Sequence, residues 1–257
     1  PKTALRMSAK QGDHQTLVMT IAMGMGIQSD GKDIVPMTHV PAMQMTMGVD
    51  VVSVAGNGDI RCNLEISKAE LLPDPNANPA VASAMKHALA GLAGLTGYTV
   101  VTNRGFTKDA DFTIGPNADP QLTEMLNSMR QSLRQLSSPL PDEPVGKDAQ
   151  WMTTMKLQVN GMAMTQVSTH RLLERSGNSA KIELSLKQSA GRQKIQRNGV
   201  TVDLFSLNST GSGAQTFDLS HVIPVAAQVS LNSVSDMEAM GQKMTLKLDV
   251  TMDVNSH

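Results

Sequence analysis

Apolar residues recurring at every second position dominate this chain, and that rhythm admits few structures. In LVMTIAMGMGI the residues Leu17, Met19, Ile21, Met23, Met25 and Ile27 share one parity, with Val18, Thr20, Ala22, Gly24 and Gly26 between them. In MQMTMGVDVV the apolar set is Met43, Met45, Met47, Val49 and Val51, and the alternate set is Gln44, Thr46, Gly48 and Asp50. Successive side chains of a strand point to opposite faces, so this pattern reads as antiparallel strands with one face buried. A helix would need apolar spacings of three and four, which these stretches lack.

Further strands are punctuated by turn chemistry. GDIRCNLEISKAEL leaves a Gly-Asn-Gly-Asp turn at 56–59, and WMTTMKLQV and MAMTQVSTHRLL flank Asn160-Gly161, a dipeptide suited to a two-residue hairpin. AKIELSLKQS follows, then VTVDLFSL after Asn198-Gly199. VIPVAAQVSLNSV and KMTLKLDVTMDV pair as a last hairpin. In its second strand Met244, Leu246, Leu248, Val250, Met252 and Val254 face inward, and Thr245, Lys247, Asp249, Thr251 and Asp253 face water.

Two segments break the alternation. NPAVASAMKHALAGLAGL offers Asn78 as N-cap, Pro79 at the first helical position and a stripe of Val81, Met85, Ala88, Leu92 and Leu95, with Gly94 or Gly97 to end it. DPQLTEMLNSMRQSLRQLSS repeats the device with Asp119, Pro120 and a stripe of Leu122, Met125, Leu126, Met129, Leu133 and Leu136. Both predict amphipathic helices that need a surface to cover, and the concave face of a sheet supplies one. SSPLPDEPVGKDAQ, with three prolines, one glycine and four charged residues, reads as a connector. The expected organisation is therefore an N-terminal β half with two helices at 1–137, a Pro-rich linker at 138–150 and an all-β half at 151–257, the halves being separate or one continuous domain. The expected class is α+β and β-dominated: a large curved antiparallel sheet, or a half-barrel meander, with two helices.

Composition narrows the partners. A formal charge of -1 offers no electrostatic handle for nucleic acid or an anionic membrane, and 2% aromatic residues leave few base-stacking platforms. Against 19 Met stand 4 Phe, 1 Tyr and 1 Trp, so Met supplies the bulky apolar volume. No run of about 18 apolar residues predicts a transmembrane helix. Cys62 reads as a small buried strand residue.

Reactive constellations are sparse. Met-x-Met recurs at 23/25, 43/45/47 and 162/164, and i, i+2 sulfurs on one strand face suit Cu(I). Met37 and His39 share the parity of Met43, although Pro36 and Pro41 interrupt the run. Because Met alternates with Leu, Ile and Val at the same parity, a core or pocket lining is the stronger reading. No zinc spacing, nucleophile elbow or phosphate loop occurs, and His170 and His221 read as strand-surface histidines. No catalytic residue, metal or cofactor is expected.

The passage PLPDEPVGKDAQW resembles the P-x-x-P-V-x-x-G-x-x-W stretch of uncharacterised bacterial envelope proteins of the DUF6263 type. Pro141, Pro144, Val145, Gly146 and Trp151 stand in matching places, although Gly146 does not sit just before the tryptophan. The resemblance implies a secreted or lipid-anchored, β-rich protein with its signal peptide removed, and it carries no activity. The expected function is non-enzymatic binding of a lipid or other apolar or amphiphilic small molecule between sheet and helices. Met23, Met25, Met43, Met45, Met47, Met85, Met125 and Met129 are the expected lining. The alternatives are an envelope assembly component with a filled core, and Met-based Cu(I) binding.

Overall fold

The structure, a computed structural model, describes residues 2–113, 140–159, 161–197 and 200–257. Its strands are β1 (His14–Ser29), β2 (Lys32–Val54), β3 (Ile60–Leu71), β4 (Thr96–Val101), β5 (Thr107–Phe112), β6 (Gln150–Val159), β7 (Met162–Ser176), β8 (Ser179–Ala190), β9 (Gln193–Arg197), β10 (Val200–Asp218), β11 (Ala226–Ala239) and β12 (Gln242–Ser256). One helix, α1 (Pro79–Ala90), lies among the described residues. The expected second helix, with Met125 and Met129, falls outside them.

All the strands join one antiparallel sheet in the order β5-β4-β3-β2-β1-β12-β11-β10-β8-β7-β6, with β9 paired to β10. The two halves of the sequence thus meet where the first strand pairs the last, from Leu17↔Ser256 to Gln28↔Thr245. The period-two stretches are strands, and their hairpin turns use left-handed backbone where Asp30-Gly31 (φ 50° and 74°) and Met240-Gly241 (φ 52° and 76°) reverse the chain. Among the described residues the long path is not closed, since it ends at β5 on one side and β6 on the other.

A sheet of long twisted strands rolls up, and here the roll is fixed at one end. The N-terminal segment crosses that end and ties together loops from distant strands. Its backbone N–H groups donate from Thr3 to Val145 O (3.0 Å), Met7 to Asn103 O (2.7 Å) and Ser8 to Leu219 O (2.7 Å). Arg6 donates to Pro141 O at 2.7 Å, and Arg175 to Ala4 O at 3.0 Å. Leu5 and Leu140 are 0% and 1% exposed within the main core, beside Ile60, Cys62, Leu172, Ile182 and Phe217. Leu140, Pro141 and Val145 of the Pro-rich connector are therefore buried at this end of the roll, while Asp142, Glu143 and Pro144 stay exposed. Burying Leu5 alone contributes about 1.5–3 kcal/mol.

Two glycines of β10 let its backbone lie close against β11. A Cβ on Gly211 would lie 2.7 Å from the Ser230 carbonyl oxygen and 3.0 Å from Leu186 Cδ1, and one on Gly213 would collide with the Gln228 carbonyl. No side chain larger than hydrogen fits this backbone approach.

Several expectations need correction. Helix α1 starts as read, with Asn78 Oδ1 accepting from Ala80 N at 2.9 Å, but it stops at a right-handed Gly91 cap, before Gly94 or Gly97. It has no buried residue. Its last turn and the loop after it seat Leu89, Leu92 and Leu95 on Ile66 and Phe112, so the helix is a local prop on β3. In β12 the residues expected to face water are mostly half-buried, because the strand lies in mid-sheet with β1 and β11 on either side.

Gly211→Val should lower the unfolding free energy by about 1–3 kcal/mol through forced backbone shift. Gly191→Ala, whose Cβ meets nothing within 4 Å, should stay within about 0.5 kcal/mol of the parent. Urea midpoints of the two variants check both.

Candidate functional site

The inward face of the roll encloses a groove of about 400 Å³ above the plugged end. One wall comes from the early and final strands: Leu17 and Met19 of β1, Met47 and Val49 of β2, Met252 and Val254 of β12. The facing wall comes from Gln166, Ser168 and His170 of β7, Leu184 and Leu186 of β8, and Gln215 and Phe217 of β10. Thr99 and Val101 of β4 also reach it, so strands near both open edges of the sheet line one space. Among the described residues, no Asp, Glu, Lys or Arg lines it.

Parity explains the apolar wall. Leu17, Met19, Ile21, Met23 and Met25 share a face, and direct cross-strand pairing puts Met47 opposite Leu17 and Met45 opposite Met19. Of the methionines singled out by sequence, Met47 lines the groove. Met45 packs between the main core and the Ile66 cluster. Met43 is half-buried opposite Ile21, and Met23 and Met25 continue the same face toward the far end, Met25 being 45% exposed. Met85 sits half-buried on α1, and no α1 residue lines the groove, whose described lining comes from the strands, Met7 of the N-terminal segment and the loops at Gly105 and at Val222, Ile223 and Pro224. Met7, Met19 and Met252 line it and were missed.

A bulge separates Met37 and His39 from the other sulfurs. Ile21 pairs Met43, but Met23 pairs Val40, so one extra β2 residue is absorbed there. Beyond it His39 faces Gly24; an added Gly24 Cβ would meet the His39 ring at 2.9 Å and Met37 Sδ at 3.3 Å. Those two side chains therefore lie on the outer face, opposite Met43. Pro41, at the bulge, reversed the parity that simple counting assigned.

Polar groups on the inner face follow a pattern of their own. Gln166, Gln188, Ser209 and Ser233 pair in succession across β7, β8, β10 and β11. Gln188 Nε2 donates to Gln166 Oε1 at 2.8 Å, Gln166 Nε2 to Ser168 Oγ at 3.3 Å, and Ser209 Oγ to Ser233 Oγ at 2.8 Å. This rung separates the main core from a second apolar cluster around Leu157, Met164, Leu204 and Leu207. At the plugged end Gln15, 3% exposed, accepts from Val222 N and Ile223 N and donates to Ile223 O, which pins the β10–β11 loop.

His170 is the main surprise. Read as a surface histidine, it is 2% exposed, stacked on Trp151 at 5.3 Å between ring centroids and 7° between planes. Its Nε2 has no hydrogen-bond partner, and neither has the buried Thr153 Oγ1. Thr153 is the direct cross-strand partner of Ser168. Burial pushes the imidazole down to about 4, so it is neutral at physiological pH. The signal was present in the even parity of Met164, Gln166, Ser168, His170 and Leu172, but Val167 and Leu173 on the odd parity obscured it. Ser168 and His170 lie two apart on one strand face, and Ser168 Oγ is engaged by Gln166, which is unlike a nucleophile hydrogen-bonded to its base. Cys62 is fully buried and its thiol is pushed up to about 11, again by burial, which leaves it inert. Among the described residues no group of three His, Cys, Asp or Glu could hold a metal ion.

Residues 125–224 match the model of DUF6263, a family of unknown function. No curated protein matches the chain. Among solved structures, one of lipovitellin, concerned with its lipid–protein interactions, is similar with a TM-score of 0.50 at 10% identity. The match covers 96% of this chain and 25% of that one, so the chain spans a quarter of lipovitellin's length and shares a fold with that part. Ail, the attachment invasion locus protein of Yersinia pestis, aligns over 95% of this chain and 99% of its own at 8% identity, but with a TM-score of 0.19.

The buried histidine makes stability pH-dependent in a defined direction. The unfolded chain takes up this proton near pH 6.5, whereas the folded chain resists it until about pH 4. Its contribution is complete above pH 6.5 and is lost as pH falls from there toward 4. His170→Phe should flatten that part of the profile, by on the order of 3 kcal/mol at the acid end. Urea midpoints of both proteins from pH 4 to 7.5 test this, and parallel profiles would mean that water reaches the ring.

Proposed function

We propose that this chain belongs to the DUF6263 family and is a non-enzymatic carrier or receptor for a lipid or similar apolar small molecule, seated inside the rolled sheet. One observation carries the reading: a groove of about 400 Å³ whose walls, among the described residues, are mainly Met, Leu and Val and include no charged residue. That volume lies in the range of small-molecule pockets and toward its lower end, which suits one hydrocarbon chain. Thioether side chains repack at little cost, so a Met-bearing wall adapts to flexible tails better than an aromatic one. The fold likeness to lipovitellin agrees with this reading, since that structure concerns lipid–protein interactions. The same proposal places the protein outside the bacterial cytoplasm, on the strength of the linker passage ending at Trp151.

A second reading, assembly through exposed surfaces, draws on Met152 of edge strand β6, 66% exposed, and on Met240 at a hairpin tip, 83% exposed. Unpaired edges template further pairing. The two readings differ in what fills the groove and in what concentration does.

The freshly purified chain should retain lipid-sized mass in native mass spectrometry, and after delipidation it should bind the apolar fluorophore 1-N-phenylnaphthylamine. Val229→Trp, placing a large ring on a half-buried lining position, should weaken fluorophore binding by about tenfold or more, a loss of about 1.4 kcal/mol. Concentration-dependent assembly with no bound mass and no fluorophore uptake would favour the second reading.

A further inference from the structure

Hydrogen bonding is incomplete at one place on and beside the groove wall, where His170 lines the groove and Thr153, outside its lining, stands next to it across β6 and β7. His170 Nε2 and Thr153 Oγ1 are both buried and both lack a hydrogen-bond partner among the described residues. They flank Ser168, because Trp151 pairs His170 and Thr153 pairs Ser168 across β6 and β7. The pairing brings both orphans to one spot, although they come from different strands. A buried polar atom with no partner is costly, and such atoms are rare in folded proteins. The Trp151 stack fixes the imidazole plane, and Gln166 anchors Ser168. Ser168, His170 and Gln166 all line the groove, whereas the wall across from them is hydrocarbon and thioether.

Charge decides which head group fits. Among the described residues a carboxylate or phosphate in this space would meet no lysine or arginine, because none of those lining it is charged. A bare anion moved out of water without a counter-charge is strongly disfavoured. A neutral imidazole, by contrast, either donates to a carbonyl or accepts from a hydroxyl, according to its tautomer.

Building on the ligand-binding reading above, we propose that the groove selects an uncharged single-chain amphiphile. Its ester, amide or hydroxyl group hydrogen-bonds at the Thr153–Ser168–His170 cluster, and its hydrocarbon lies along the Met19, Met47 and Met252 wall. Fatty-acid anions and phospholipid head groups are excluded by desolvation.

The test uses the full chain, with 1-monolaurin and laurate displacing 1-N-phenylnaphthylamine at pH 7.5. Monolaurin should displace the fluorophore at about tenfold lower concentration than laurate. His170→Phe, which keeps a ring against Trp151, and Thr153→Val, which is nearly isosteric, should each raise the monolaurin requirement by about threefold to tenfold, the worth of one net hydrogen bond. Each variant's own fluorophore affinity is measured first and its monolaurin requirement referred to it, so that a general change in the groove divides out and only head-group recognition is read. If His170→Phe folds poorly, as circular dichroism would reveal, the Thr153→Val arm decides alone. Equal displacement by laurate, or monolaurin binding unchanged in a folded variant, overturns the head-group assignment while the groove stands. A wild-type chain that binds no fluorophore overturns the ligand-binding reading itself, and this inference with it.

Discussion

The ladder between β1 and β12 is the constraint from which the rest follows. Its register runs without a break from Leu17↔Ser256 to Gln28↔Thr245. It joins the first strand of the N-terminal half to the last strand of the C-terminal half, so two meanders become one surface. Backbone donors and acceptors along both strands are satisfied by this pairing, and leaving them buried and unpaired would be costly. With the halves joined at their centre, β4 of one wing and β7 of the other both line the groove. The N-terminal segment then fixes the roll, because residues 3–8 touch loops contributed by both wings.

The inner face that results is graded. Near the plug it is a dense core of Leu, Ile and Val; across its middle runs the Gln166–Gln188–Ser209–Ser233 rung; beyond the rung lies a second apolar cluster. A polar rung inside an apolar surface is tolerated because its members hydrogen-bond one another. The two orphan atoms at His170 and Thr153 depart from that rule. They stand out because comparable polar side chains nearby, such as Gln15 and Ser209, are paired. Scarcity of aromatic residues has a consequence here. The only Trp in the chain is spent on holding His170, and Met, Leu and Val furnish the opposite wall.

Local pattern made much of the β architecture legible. Alternation in residues 17–27 and 43–51 marked strands, Asn160-Gly161 marked a hairpin, and Asn78-Pro79 marked the start of a helix. The site was less legible. Met47 was identified as lining and does line the groove, whereas Met19 and Met252 stood on the same parities and were passed over. Met37 and His39 were assigned with Met43 by counting, and a bulge at Pro41 sent them to the other face. Parity survives only as long as the ladder is regular.

The order of residues by itself determined where the chain extends, where it turns and which alternate positions share a face, because those properties depend on backbone geometry over a few residues. Only the tertiary structure decided that the two halves share one sheet, that Leu140 and Val145 of the proline-rich connector join the core, and that His170 is buried against Trp151. These depend on pairings between residues far apart in the chain, such as Leu17 with Ser256 and Thr3 with Val145. Burial is a property of what a side chain meets after those distant strands have come together, and no local spacing encodes it.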